Sequence, residues 1–274
     1  MGVPQELNEA VGWYDAPEAD YAVIGDPVAH SLSPRMHVAA YRELGLDLRY
    51  LAVRVRAGSV GKALEHLRGL GYKGANVTLP HKEEAIGWLE TCDDFARRVR
   101  AVNTIRLEDR YGFNTDAPGF LQTLDLLNLS SNTPALVLGA GGAARAVVAA
   151  LADEGHPMRV WSRTRERAER MLEEIEVDAF VLDAPELTEA GLIVNATSAT
   201  LAGEPLPISW EHVMPGAVAY DLAYGVRGRF LLDAEAHGLR TVDGLGMLVM
   251  QGALSFEWWL DQAAPHQAMW EAVR

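Results

Sequence analysis

The pattern of apolar and polar positions divides this chain into short, mostly apolar runs separated by helical stretches. Runs of this kind, bounded by Gly, Pro or Asn, read as parallel strands buried on both faces. In the first half the strands are Tyr21 to Gly25, Leu48 to Val55 and Gly74 to Leu79, with a hairpin formed by Ala101 to Leu107 and Tyr111 to Phe113. Helices are expected from Ser33 to about Leu44, Gly58 to Leu70 and Pro80 to Leu89. Ser33 before Pro34 suits an N-cap with proline at the first helical position. Residues 1–19 are polar and read as an irregular, mobile lead-in. A helix from Ala117 to Asn128 and a polar linker, Leu129 to Thr133, lead into the second half. Its strands are Ala135 to Leu138, Met158 to Trp161, Leu192 to Asn195, Val218 to Asp221 and Arg240 to Val242. Helices Met247 to Leu260 and Gln267 to Val273 close the chain. The order predicts an α/β protein of two domains, the first built on a mixed sheet.

The sharpest local signal is Gly139-Ala140-Gly141-Gly142-Ala143-Ala144, placed between a strand and a helix that begins near Arg145. This is a G-x-G-x-x-G/A pattern in the context that gives it meaning. Gly139 permits the tight turn, Gly141 lets backbone approach a pyrophosphate, and a small residue at 144 allows close helix–strand packing. The N–H groups of the first helical turn then face the phosphates. The pattern predicts a Rossmann-type domain. The next strand ends at Trp161 and is followed by Ser162-Arg163-Thr164-Arg165, with no acid to hold a ribose 2′-hydroxyl. Arginines and hydroxyls there suit a 2′-phosphate, so NADP(H) is expected rather than NAD(H). The plain alternative is a basic helical face formed by Arg165, Arg167 and Arg170, although cations are unfavourable at a helix N-terminus unless an anion is near.

Composition narrows the classes. The chain has 274 residues, 49% of them hydrophobic, and a formal net charge of −14. That charge argues against nucleic acid as a partner, because such binding rests on neutralising phosphates. The single cysteine, Cys92, excludes an internal disulfide, and no Cys/His cluster has zinc spacing. No basic-then-apolar leader and no membrane-length apolar run is visible, so a cytoplasmic protein is expected. Lysine occurs only at 62, 73 and 82, which makes each one worth weighing.

Polar residues gather where strands end, where ligands collect in open α/β sheets. They are Ser31, Ser33, Asn76, Thr78, Lys82, Asn103, Thr104, Asn114 and Asp116, a set suited to a small polyhydroxy acid. Lys82, expected in a first helical turn, needs a nearby carboxylate such as Asp116 to offset the dipole. A Lys/Asp pair can supply the proton that a carbonyl oxygen needs when hydride reaches its carbon. The alternatives are a surface lysine bridged to Glu83 or Glu84, and an Asp116 that caps the helix after it. His30 and His37 lack further ligands for a metal, and His81 reads as a helix-surface histidine.

Six ordered segments resemble the shikimate dehydrogenase family: Gly25 to Pro34, Gly74 to Lys82, Ala101 to Thr104, Asn114 to Asp116, Asn195 to Ser198 and Gly244 to Gln251. The resemblance implies NADPH-dependent reduction of 3-dehydroshikimate to shikimate, on the route to chorismate and the aromatic amino acids. It implies a substrate domain at residues 1–117, a Rossmann-type NADP-binding domain at 118–244, and helices at 245–274 that return to the first domain. By the same resemblance Lys82 and Asp116 are catalytic. Ser31 and Ser33 hold the substrate carboxylate. Asn76, Thr78, Asn103 and Gln251 bind hydroxyls, and Tyr224 lines the substrate cleft. Gly139 to Ala144, Ser162, Arg163, Thr164, Arg167, Asn195, Ala196, Thr197, Leu222, Gly244 and Met247 are expected at the cofactor. The family contains monomers and homodimers. The chain departs from the family's usual pattern at Val38, Ala117, Ser162 and Ala199 to Ala202. A quinate/shikimate dehydrogenase with relaxed cofactor use and a non-catalytic binding relative are the competing readings.

Overall fold

The computed structural model describes residues 10–130 and 132–274. The chain forms two compact units, one of residues 1–115 and 249–274, the other of residues 116–248. The divide falls a little before 117 and a little after 244, because Asp116 is the first residue of a helix of the second unit and the helix that starts at Leu245 crosses into the first.

In the first unit the strands are β1 (Val11–Gly12), β2 (Tyr21–Gly25), β3 (Tyr50–Arg54), β4 (Gly74–Val77), β5 (Thr91–Cys92), β6 (Thr104–Arg106) and β7 (Tyr111–Phe113). They form one seven-stranded sheet in the order β1-β3-β2-β4-β6-β7-β5. β1, β3, β2 and β4 are parallel, β6 is antiparallel to β4 and to β7, and β5 is parallel to β7. The helices so far along the chain are α1 (Ser33–Glu43), α2 (Val60–Gly69) and α3 (Asp94–Val99). β2 is buried along its whole length. Ala22 and Ile24 join Val53, Leu64, Leu67, Val77 and Ile105 in one apolar cluster. Rings fill another part of the interior, where Tyr21 stacks on Trp259 at 4.6 Å and His37 lies parallel to Tyr50 at 4.4 Å and 4°.

The second unit begins with α4 (Asp116–Asp125) and continues through β8 (Ala135–Leu138), α5 (Gly142–Asp153), β9 (Met158–Trp161), α6 (Arg165–Glu174), β10 (Phe180–Val181) and β11 (Leu192–Asn195). It ends with α7 (Ala199–Ala202), β12 (Val218–Asp221), α8 (Arg229–Ala236), β13 (Arg240–Val242) and the start of α9 (Leu245–Leu260); α10 (His266–Val273) belongs to the first unit. Its six strands are all parallel in the order β10-β9-β8-β11-β12-β13. Counted along the chain this is 3-2-1-4-5-6, the order of doubly wound dinucleotide-binding sheets, with its switch point between β8 and β11. No helix among the described residues is long and apolar enough to cross a membrane.

Four expectations change. Residues 11–15 are not irregular: Val11 pairs with Val53 at the free edge of β3, and a 3-10 turn, Trp13–Asp15, follows. Two residues are too short for alternation to reveal; residues 1–9 lie outside the described ones. Ser33 is not an N-cap but the first residue of α1, and its N–H donates to Ser31 Oγ at 3.3 Å. The stretch from Pro80 to Leu89 is not an α-helix. A cis Leu79–Pro80 bond and turns occupy 79–83, and a 3-10 helix spans Glu84–Trp88. His81 is fully buried rather than on a helix surface, with Nε2 2.6 Å from the carbonyl oxygen of Val55.

His37 has neither ring nitrogen hydrogen-bonded, and burial holds its pKa down at about 3. A histidine that stays neutral when folded but titrates normally when unfolded makes the unfolded state bind the extra proton below about pH 6.5. Stability from this site is therefore present at neutral pH and is lost as pH falls from about 6.5 toward 3. In His37→Phe, which keeps a flat ring on Tyr50, the urea midpoint should fall less between pH 7 and pH 5 than in the wild type. Equal falls would show that His37 is not the titrating group.

Candidate functional site

In the first unit the register brings distant polar residues to one sheet edge. Asn76 pairs with Thr104, and Thr104 with Phe113. The carboxyl ends of β2, β4 and β7 and the amino end of the antiparallel β6 therefore share that edge. It carries Ser31 and Ser33 after β2, Thr78 and Lys82 after β4, Asn103 before β6, and Asn114 and Thr115 after β7.

Lys82 is placed by its neighbours. On one side His81 is tied to the carbonyl of Val55. On the other, the Glu84 carboxylate accepts the N–H groups of Gly58 at 2.9 Å and Val60 at 3.1 Å, capping the start of α2. The carbonyl of Lys82 itself accepts the N–H of Val102 at 3.0 Å. The half-buried lysine thus sits on a turn pinned to β3, α2 and the approach to β6. This anchoring replaces the helical first turn read from the sequence.

Ser33 is buried and Ser31 half-buried at the start of α1. Thr78 is half-buried, and its N–H donates to the carbonyl of Ile24 at 2.9 Å. Asn103, Thr115 and Gln251 form a buried group. Asn103 Nδ2 donates to Thr115 Oγ1 at 2.8 Å and to Gln251 Oε1 at 3.1 Å, while its Oδ1 accepts the Thr115 N–H at 2.7 Å. Asn76 is differently engaged. Its Nδ2 faces Asn103 O, Thr104 Oγ1 and Ser255 Oγ, and its Oδ1 accepts the Tyr50 phenol at 2.6 Å. An amide with two donors so surrounded works inside the protein, which sets Asn76 apart from the other expected hydroxyl ligands. Tyr50, Thr115 and Ser255 are members of this group that sequence reasoning did not assign, whereas Thr104 was among the strand-end polar residues; the spacing of Ser255, four residues past Gln251 on one helix face, is the signal that could have found it.

The second unit holds the glycine turn at the switch point of its sheet. Gly139 has φ +123°, and a Cβ there would lie 3.0 Å from the carbonyl oxygen of Ala196, so only glycine fits without strain. Gly141 is the N-cap of α5, leaving that helix's first N–H groups to an anion. Ala140, Gly142, Ala143 and Ala144 continue the turn into α5, where Ala144 is fully buried. Arg167 Nη2 lies 3.9 Å from where a Cβ on Gly141 would stand, which brings its guanidinium to the turn.

Ser162, Arg163 and Thr164 follow β9, with both Arg163 and Thr164 exposed. Arg163 Nη1 reaches Glu204 at 3.3 Å in an exposed pair, an interaction that a ligand can displace cheaply. Arg165, the other arginine expected to face a phosphate, is engaged by Glu169 at 2.7 Å and Asp183 at 2.6 Å. Past β11, Asn195 Oδ1 accepts both the N–H and the hydroxyl of Thr197, shaping the Asn195-Ala196-Thr197 turn. Thr200 donates to the buried Asp221, whose carboxyl pKa is pushed up by burial against these hydrogen bonds. Asp221 Oδ1 accepts the N–H of Ala223, setting the turn that carries Leu222 and the half-buried Tyr224. Gly244 touches that turn, since a Cβ would fall 2.0 Å from the carbonyl oxygen of Leu222. Met247 is buried on the first turn of α9, and Asp116 is buried on the first turn of α4.

Two family models match the chain: the shikimate dehydrogenase substrate binding domain at residues 23–105, and the shikimate 5′-dehydrogenase C-terminal domain at residues 244–274. A shikimate dehydrogenase (NADP(+)) of Natronomonas pharaonis is 41% identical over 93% of this chain and 98% of its own length. The crystal structure of a Thermus thermophilus shikimate 5-dehydrogenase in complex with NADP(H) and shikimate is 42% identical, with a TM-score of 0.84 over 93% of this chain and 98% of its own. A shikimate dehydrogenase structure from Aquifex aeolicus has a TM-score of 0.86 and 35% identity over the whole of both chains.

Proposed function

We propose that this chain, which belongs to the shikimate dehydrogenase family, interconverts 3-dehydroshikimate and shikimate with NADP(H). It is an oxidoreductase acting on a CH–OH group with NADP as acceptor, in the biosynthesis of chorismate and the aromatic amino acids. The observation that carries the reading is the pinned turn of Lys82, on the same sheet edge as Ser31, Ser33, Thr78 and Asn103. We assign Ser31, Ser33, Thr78, Asn103 and Gln251 of the first unit to the substrate, and the cofactor to the second unit.

The second unit fits the cofactor through the cradle at Gly139 and Gly141, the N-terminus of α5, and the guanidinium groups of Arg163 and Arg167. When bound, NADPH supplies the hydride that converts the ketone carbon to a secondary alcohol. The remaining requirement is one proton on the carbonyl oxygen. Lys82 holds that proton as an ammonium and favours negative charge developing on the oxygen as the C–H bond forms. Asp116 is assigned as a catalytic carboxylate on the family resemblance. Ser31 and Ser33 are assigned the substrate carboxylate, where hydroxyl and backbone donors meet at the start of α1. Thr78, Asn103 and Gln251 offer the polar groups that sort a ring bearing several hydroxyls, and Tyr224 is assigned to the substrate on the family resemblance. Asn76 supports Asn103 from behind rather than meeting the ligand.

Initial rates with shikimate and NADP+, run beside quinate and NAD+, test the reading. Fast reduction with shikimate and NADP+ is expected, with much slower turnover for the other pairs. No turnover from a folded sample that binds NADPH would overturn it. In the same assay Lys82→Ala should lower kcat by about a thousandfold while the KM for shikimate changes little, the signature of a transition-state interaction. A near-normal kcat would remove Lys82 from the chemistry.

Cofactor choice is tested separately. Arg163→Ala and Arg167→Ala should each weaken NADP+ by about tenfold or more and NAD+ far less, because a charged, forked contact to the 2′-phosphate is lost. Equal losses for both dinucleotides would show that neither arginine reads that phosphate.

A further inference from the structure

We propose that Ser255 is a positioning residue for substrate recognition, its single hydroxyl fixing Gln251 and Asn103 in the arrangement that the substrate meets. The inference rests on the assignment of Asn103 and Gln251 to substrate made above.

Ser255 is fully buried on α9, one turn after Gln251. Its Oγ lies 3.0 Å from Asn76 Nδ2, 2.7 Å from Thr104 Oγ1, 3.2 Å from Thr115 Oγ1 and 2.9 Å from the carbonyl oxygen of Gln251. A serine hydroxyl has one proton and two lone pairs. The Gln251 carbonyl can only accept and the Asn76 amide nitrogen can only donate, so the Ser255 proton goes to Gln251. Its oxygen takes an N–H from Asn76 and the O–H of Thr104, the shorter of the two threonine contacts.

The directions of the remaining bonds follow. Asn103 Nδ2 donates to Thr115 Oγ1, so the Thr115 proton points away from Asn103, toward Thr104 at 3.2 Å. Thr104 passes its own proton to Ser255, and Ser255 passes its proton to the Gln251 backbone. The second N–H of Asn103 goes directly to Gln251 Oε1 at 3.1 Å. The circuit therefore leaves the Asn103 amide by two routes and reaches Gln251 by both, at its backbone and at its side chain. The Thr115 N–H on Asn103 Oδ1 and Asn103 Nδ2 on Gln251 Oε1 set which atom of each amide is oxygen and which is nitrogen, while the Ser255 hydroxyl holds Thr104 and, through it, the Thr115 hydroxyl that the Asn103 amide meets.

Packing of α9 does not depend on this hydroxyl. Trp259 Nε1 donates to the carbonyl of Ile105 at 3.1 Å and its ring stacks on Tyr21. Removing the Ser255 oxygen should thus disturb the circuit and leave the helix docked.

The test compares Ser255→Ala, Ser255→Thr, Gln251→Ala and the Ser255→Ala/Gln251→Ala pair. Ser255→Ala should raise the KM for shikimate about tenfold, the scale of one lost buried hydrogen bond, with kcat and the KM for NADP+ close to wild type. Ser255→Thr, which keeps the hydroxyl, should restore most of the loss. The pair should rise over Gln251→Ala by less than Ser255→Ala raises the wild type, because part of the serine's effect runs through Gln251 and the rest through Asn103. A wild-type KM in Ser255→Ala, or full additivity in the pair, overturns the proposal while leaving Gln251 as a ligand. A wild-type KM in Gln251→Ala instead overturns the placement of substrate on that residue, and the role of Ser255 with it. Should Ser255→Ala not fold, Thr104→Val removes the link between Ser255 and Thr115 and leaves the direct Asn103–Thr115 bond in place; the same KM rise supports the proposal and an unchanged KM overturns it.

Discussion

A buried amide must find partners for every polar atom it carries, and Asn76 places one in the middle of the first sheet. Leaving such a group unmet costs about 1–3 kcal/mol, a large share of a domain's net stability. The answer here draws on β3 through Tyr50, on β6 through Asn103 and Thr104, and on α9 through Ser255. Satisfying one side chain therefore ties β4 and β6 to each other and to a helix that arrives from the far end of the sequence and is seated by Trp259. Tyr50 is itself held flat against His37, which links this polar interior to the aromatic packing around Trp259. The polar groups proposed to meet a ligand, Asn103 and Gln251, grow outward from this core rather than being added to a finished scaffold.

The second unit follows a different constraint, the close approach of backbones at its switch point. The turn after β8 passes so near the turn after β11 that Gly139 has no room for a side chain. Hydrogen bonds then fix each neighbouring turn in sequence: Asn195 shapes its own turn through Thr197, Thr200 meets Asp221, and Asp221 shapes the turn after β12. Three strand ends are thereby coupled, and the first N–H groups of α5 are held in a fixed direction.

Sequence carried much of this because the strands are apolar on both faces and the glycine turn sits in its expected frame. The parallel order of the second sheet, the hairpin of β6 and β7 and the gathering of polar residues at strand ends were all legible. What escaped were features set by distant partners. Val11 and Gly12 become a strand only because β3 has an open edge. The stretch after Pro80 has helical composition, yet the ties of His81 to Val55 and of Glu84 to the start of α2 shape it as turns and a 3-10 helix. Ser255 reads as an ordinary polar residue on an apolar helix, and Arg165 as a phosphate ligand, until Glu169 and Asp183 are seen beside it. Local propensity cannot report a partner that lies tens of residues away.

The two sheets share a property at their margins. Among the described residues the outermost strands are β1, β5 and β10, of two residues each, and β13, of three. The longer, wholly apolar strands all lie inside. A margin this short offers an incoming chain only one or two ladder hydrogen bonds, too few to template growth of a shared sheet. The same brevity that hid β1 from the hydrophobic pattern thus insulates interior strands rich in valine, leucine and isoleucine from intermolecular strand pairing.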